Sequence, residues 1–166
     1  MKHYITALVD NKAGVLARIS GLFARRGFNI VSLTVGETDD KSISRVTIVV
    51  DGDDYIADQV TRQLYKLIDV RMVKQLNPDN IIQRELLLIK VAIDANQRSE
   101  IYDLAKIMDC GIVDISHTTL MIEFDDRTQK VDLLIELLSK YRILEIVRTG
   151  AIALQKGENT VYDEEE

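Results

Sequence analysis

Apolar residues change their spacing twice between Leu8 and Val35, and few folds satisfy both changes. His3 to Asp10 alternates loosely and is rich in β-formers, which predicts a strand. Asp10-Asn11-Lys12 then supplies turn chemistry. Val15, Leu16, Ile19, Leu22 and Phe23 follow at the spacing of one helical face. Asn29 to Thr38 returns to a strand pattern. Asn11 or Asp10 can cap the helix, Arg25 and Arg26 suit its negative end, and Gly27 stands where a helix stops. A strand, a crossing helix and a return strand restrict the chain to folds that mix helix and sheet.

The rest of the first half completes one unit. Asp39-Asp40-Lys41 is a turn, and Ile43 to Val50 alternates as a third strand, so the second and third strands form a hairpin. Asp53 or Asp54 can cap a second helix whose apolar residues are Ile56, Val60, Leu64, Leu67 and Ile68. Asp69 to Leu76 is a fourth strand. The order βαββαβ is the ferredoxin-like arrangement, two helices on one face of a four-stranded sheet. The other face is expected to lack cover from the chain itself.

The same order then recurs. Asn77-Pro78-Asp79-Asn80 holds the chain's one proline and marks a boundary. Arg84 to Asp94 is a strand, and Ser99 or Asn96 can cap a helix carrying Ile101, Leu104, Ala105 and Met108, stopped by Gly111. Ile112 to His117 and Leu120 to Phe124 are strands, Lys130 to Tyr141 is a helix, and Ile143 to Leu154 is a closing strand. The fold class is therefore α+β, two tandem ferredoxin-like βαββαβ units. The expected domains are 1–76, a linker at 77–83, a second unit at 84–156 and an acidic, mobile tail at 157–166. Cutting the chain near Lys156 is expected to leave it folded.

Composition narrows the function. The chain is 46% apolar and 29% charged, enough to bury a core. Units this small bury roughly 60–65% of their unfolded surface and are expected to lean on partners. A net charge of −6 repels phosphate backbones, so no nucleic-acid partner is expected. One cysteine, Cys110, cannot form an internal disulfide, which fits a cytoplasmic protein. Neither a signal peptide nor a membrane-spanning run is read from the residues. His3, Cys110 and His117 lack zinc-like spacing, no phosphate loop or nucleophile motif occurs, and the carboxylates read as solvated surface charge. Catalytic and metal-ligating residues are thus expected to be absent.

The two ends of the first helix offer binding chemistry instead. A helix N-terminus presents backbone N–H groups and a positive dipole end to a carboxylate. Gly14 allows close approach to the N–H groups of Gly14, Val15 and Leu16. Asparagine accepts and donates, so Asn11 and Asn29 can hold the ammonium or the carboxylate of a free amino acid. If two copies pair edge to edge, Asn29 of one faces Asn11 and Gly14 of the other. Val15, Ile30 and Val35 would line an aliphatic side chain.

Asn11-Lys12-Ala13-Gly14-Val15-Leu16 and Leu22-Phe23-Ala24-Arg25-Arg26-Gly27-Phe28-Asn29-Ile30 resemble the small regulatory subunits of acetolactate synthase, also called acetohydroxyacid synthase. Ser32 to Val35, Ser44 to Ile48, Arg84 to Val91 and Arg148-Thr149-Gly150 continue the resemblance. It implies an N-terminal ACT domain and a C-terminal domain of similar topology. It implies a homodimer that binds valine, or another branched-chain amino acid, through Asn11, Gly14 and Asn29. It implies a large catalytic subunit carrying thiamine diphosphate, magnesium and FAD, with no cofactor in this chain. That enzyme condenses two pyruvates, or pyruvate with 2-oxobutyrate, in valine, leucine and isoleucine biosynthesis. The small subunit would raise its activity and make it feedback-sensitive. Ala13 stands where such loops often carry proline, which removes a rigid element and no polar contact.

Three other readings compete. A free-standing ACT-domain sensor of another enzyme or of transcription would share the pocket. An RNA-binding fold of the same topology would need exposed aromatics where Val46-Thr47-Ile48-Val49 has none. An enzyme with an unrecognised site would turn over pyruvate alone.

Overall fold

A computed structural model describes residues 1–163. They form two units, Met1–Ile82 with the segment from Ala151 onward, and Gln83–Gly150. The division differs from the sequence expectation at the C-terminal end, where the last segment belongs to the first unit. The expected acidic ending, Glu164 to Glu166, lies outside the described residues.

The first unit contains β1 (Lys2–Asp10), α1 (Val15–Arg26), β2 (Ile30–Glu37), β3 (Ile43–Asp51), α2 (Asp54–Leu64) and β4 (Val70–Leu76). The sheet order is β2-β3-β1-β4, with every pairing antiparallel, so β2 and β4 are its edges. Ile5, Ala7, Val9, Val46, Ile48 and Val50 face the helices and pack on Ile19, Phe23, Val60 and Leu64. Truncating such a fully buried residue to alanine costs about 2–5 kcal/mol. Helix α1 ends as the sequence predicts. Gly27 takes a left-handed conformation, φ 67°, and its N–H donates to Ala24 and Phe23 carbonyls. The turn brings Phe28 edge-on to Phe23, with ring centroids 6.1 Å apart.

Three expectations for this unit are corrected. Helix α2 ends at Leu64, so Ile68 lies beyond it and is 96% exposed. The sheet's second face is covered: Tyr4, Val49 and Leu76 form a second apolar cluster with Ile81, Ala151 and Ala153. The tail is anchored to the unit. Val161 is buried, and Lys74 Nζ donates to the carbonyls of Thr160 (3.0 Å) and Asp163 (3.1 Å). The cause is the outward face of β1, where Tyr4, Thr6 and Leu8 require cover.

Asn77 and Pro78 do not open a slack linker. Asn77 caps a short 3-10 turn, Pro78–Asn80, and β5 (Ile81–Ala92) starts at once. The second unit continues with α3 (Gln97–Met108), β6 (Gly111–Ile115), β7 (Thr119–Asp126), α4 (Thr128–Leu138) and β8 (Arg142–Arg148). Its order is β6-β7-β5-β8. Leu87, Ile89, Val91, Ile122 and Phe124 pack on Ile101, Val131, Leu134 and Leu138. Arg148 clamps the unit. Its Nε and Nη2 donate to the two oxygens of buried Glu85 (2.7 and 3.1 Å), and Nη2 lies 2.8 Å from Asp132. The expected closing strand is two strands, because Gly150 turns the chain with φ 79° before β9 (Ile152–Gln155). Helix α3 stops at left-handed Asp109 rather than at Gly111, which opens β6.

Candidate functional site

The corner between β1 and α1 is built by a loop pinned to the β2–β3 hairpin. Asp40 organises that hairpin turn: its carboxylate accepts from the Ser42 N–H at 2.8 Å, and its carbonyl accepts from the Ile43 N–H. The Ser42 carbonyl in turn accepts from the Asn11 N–H at 2.7 Å. The Asn11 side chain reaches the same hairpin. Its Nδ2 donates to Glu37 Oε1 at 3.0 Å and to the Lys41 carbonyl at 2.9 Å. Asp10 is drawn the other way, accepting from Lys12 Nζ (2.7 Å) and from Arg71 Nε (2.6 Å). Hydrogen bonds from Lys12 and then Arg71 hold its carboxyl below the usual carboxylate range.

Neither Asp10 nor Asn11 therefore caps α1, as the sequence had suggested. The N-cap position is Gly14, left-handed at φ 87°, with no side-chain cap and no acid in the first turn. A Cβ there would be strained and would lie 3.7 Å from Arg18 Nη1. Arg18 itself is held by Asp69, Nε to Oδ2 at 2.7 Å. The helix thus starts with its positive dipole end unneutralised by its own residues. Helix α2 does the opposite, with Asp53 as N-cap accepting from the Ile56 N–H at 2.9 Å.

A small cavity of about 70 Å³ opens at this corner. Asn11, Val15, Leu16 and Val35 line it together with Val9, Ile19, Ser44 and Val46. Val15 is 4% exposed and belongs to the core, whereas Leu16 is 45% exposed. The structure therefore brings Asn11, Val15 and Leu16 to one place, with Gly14 beside them. Asn29 and Ile30 stand apart, at the opposite end of α1, roughly 18 Å of helix away. Asn29 is exposed, and its carbonyl accepts from the Asp51 N–H at 3.4 Å. Sequence reasoning missed Glu37, Lys41 and Ser44. Their approach to Asn11 depends on hairpin docking across residues far apart in the chain, and no local motif marks them.

Elsewhere, among the described residues, no three His, Cys, Asp or Glu side chains are grouped to hold a metal ion. Burial and the neighbouring Asp109 push the Cys110 thiol up to about 11, so it stays protonated at neutral pH. No helix among the described residues is long and apolar enough to cross a membrane.

Comparison with known proteins matches residues 5–72 to the AHAS small subunit-like ACT domain and residues 84–157 to the family described as small subunit of acetolactate synthase. A protein from Archaeoglobus fulgidus described as a probable acetolactate synthase small subunit is 47% identical over 157 residues, 95% of this chain and 98% of that one. The acetolactate synthase small subunit of Mycolicibacterium smegmatis is 43% identical over 155 residues, 93% of this chain and 91% of that one. The crystal structure of the acetolactate synthase small subunit from Thermotoga maritima superposes with a TM-score of 0.88 at 40% identity. It covers 96% of this chain and 99% of that one. Similarity of this extent, in sequence across both units and in three dimensions, establishes that the chain belongs to the family of acetolactate synthase small subunits.

Proposed function

We propose that this chain is a non-catalytic regulatory subunit that binds valine, or another branched-chain amino acid, at the β1–α1 corner and relays its occupancy to a catalytic subunit. The observation that carries this reading is the bare start of α1, opening beside a small cavity with mainly aliphatic walls. The N–H groups at Gly14 and Leu16 suit a carboxylate, whereas that of Val15, expected to join them, donates to the Lys12 carbonyl at 3.4 Å. Val15, Leu16 and Val35 suit a short branched side chain.

A second copy completes the site. β2 is an edge strand with free pairing capacity. In a two-fold pairing of β2 edges the strands run antiparallel, so the start of one lies beside the end of the other. Asn29 and Ile30 of the second copy then approach Glu37, to which Asn11 is bonded. The amino acid sits in the seam and couples the pair. A coupling of about 1–3 kcal/mol changes affinity between effector and catalytic subunit roughly 5–150-fold, in both directions. Thiamine diphosphate, magnesium and FAD belong to the catalytic subunit, which this chain activates and makes sensitive to valine in a soluble, cytoplasmic assembly.

The test is acetolactate formation by a catalytic subunit mixed with this chain, measured against added valine. Asn29→Ala removes a hydrogen bond to a charged group, about 1.5–3 kcal/mol, so half-inhibition moves to valine concentrations at least tenfold higher while activation persists. Unchanged valine response in both Asn29→Ala and Asn11→Ala would reject the site.

A further inference from the structure

We propose that Glu37 is a positioning residue that turns the Asn11 amide so that its oxygen receives the ammonium group of the bound amino acid. The inference rests on the effector reading above and adds the chemical role of each group. Asn11 Nδ2 is bonded to two acceptors, Glu37 Oε1 at 3.0 Å and the Lys41 carbonyl at 2.9 Å. A carboxylate and a backbone carbonyl can only accept, so the nitrogen of the amide must face both of them. Both of its hydrogens are then used. The one polar atom left on the side chain is the carbonyl oxygen, which can serve an ammonium and cannot serve a carboxylate.

The two ends of the ligand are thereby sorted. The carboxylate goes to the helix start, where Gly14 provides no competing side chain and the first turn contains no acid. The ammonium goes to Asn11. Either partner alone would leave the amide one contact and more freedom to turn. The Lys41 carbonyl is fixed by the hairpin, whose Ser42 carbonyl already accepts from the Asn11 N–H. Glu37 ends β2, the edge strand at which the second copy is proposed to pair. Formation of the pair would therefore tighten the orientation of Asn11.

Calorimetry on the full chain with L-valine and with isovalerate tests this. Isovalerate keeps the carboxylate and the branched chain and lacks the ammonium. Glu37→Ala should weaken valine binding roughly tenfold or more, since a contact to a charged ligand group is lost, and leave isovalerate binding unchanged. Glu37→Gln should restore valine to within about threefold of wild type, because its amide oxygen still accepts from Asn11. Valine binding by Glu37→Ala at the wild-type level would overturn the role of Glu37 alone. So would a Glu37→Gln variant as weak as Glu37→Ala, which would make the charge the active feature. Equal loss of valine and isovalerate would reduce Glu37 to a structural part of the loop. A wild-type chain that binds no branched-chain amino acid would instead remove the effector reading and this role with it.

Discussion

The two units share one topology and treat the start of their first helix in opposite ways. In the first unit α1 begins at Gly14 with no side-chain cap and no first-turn acid. In the second, Asp94 folds its carboxylate onto the start of α3, accepting from the N–H groups of Asn96 and Gln97, both at 2.9 Å. Gln97 Oε1 returns the contact to the Asp94 N–H at 3.2 Å, and Glu100 adds an acid to the first turn. One helix supplies its own anion and the other leaves the place vacant. A start of this kind is unfavourable for the isolated fold, because a helix without a side-chain cap and with an unopposed dipole end forgoes stabilisation that a cap would provide. The difference leaves one topology with an open helix start in the first unit and a self-capped one in the second.

The sheets differ as well. In the first unit the face turned from the helices is sealed by Ile81, Ala151 and Ala153, and Val161 further along the same segment is buried as well. In the second, Leu86 and Val147 on the corresponding face remain exposed. The largest effect expected follows from this contrast. A chain ending at Gly150 loses the cover of Tyr4, Val49 and Leu76 and should lose roughly 3–5 kcal/mol of stability in the first unit. Hydrogen exchange should quicken in β1, β3 and β4, and where β5 pairs with the lost β9, and stay slow in β7. Protection unchanged in β1 would mean that the C-terminal segment is dispensable. A chain ending at Lys156 should be affected too, by about 1.5–3 kcal/mol, the burial of Val161.

Exchanging the helix starts is the next largest test. Lys12 stands two residues before the N-cap of α1, as Asp94 stands two before that of α3. Lys12→Asp should give α1 an anion of its own and weaken valine binding at least about tenfold, or roughly 1.4 kcal/mol, by calorimetry. Asp94→Ala should uncap α3 and cost about 1 kcal/mol in urea unfolding, with no change in valine binding. If Lys12→Asp binds valine as before, the open corner is not where the carboxylate rests. The smallest effect lies at the far ends of the same helices. Gly27 ends α1 in the left-handed region without strain, whereas α3 ends on Asp109 at φ 59°. Asp109→Gly should raise stability by roughly 0.5–1 kcal/mol in the same unfolding experiment.

Most elements of the fold were legible because each depends on local periodicity. Ile19, Leu22 and Phe23 had to share a helix face, and Arg45-Val46-Thr47-Ile48 had to alternate, whatever surrounded them. Errors arose where a residue has two local uses and a distant contact chooses between them. Asn11 is an acceptable cap by type, and it abandons that role because Glu37 and Lys41, well separated in the chain, offer acceptors to its nitrogen. Ile143 to Leu154 reads as one strand until Gly150 breaks it and Ala151 and Ala153 find apolar partners in the first unit.

Alone, then, the order of residues determined two βαββαβ units, the glycines at both ends of α1, and the family to which the chain belongs. Backbone periodicity and the φ requirements of glycine act within a few residues, so they are written locally. Tertiary structure decided which helix start stays open, which face of a sheet receives the C-terminal segment, and which way the Asn11 amide points. Those outcomes depend on groups brought together across the chain, where a hydrogen-bond partner or an apolar surface exists only after folding.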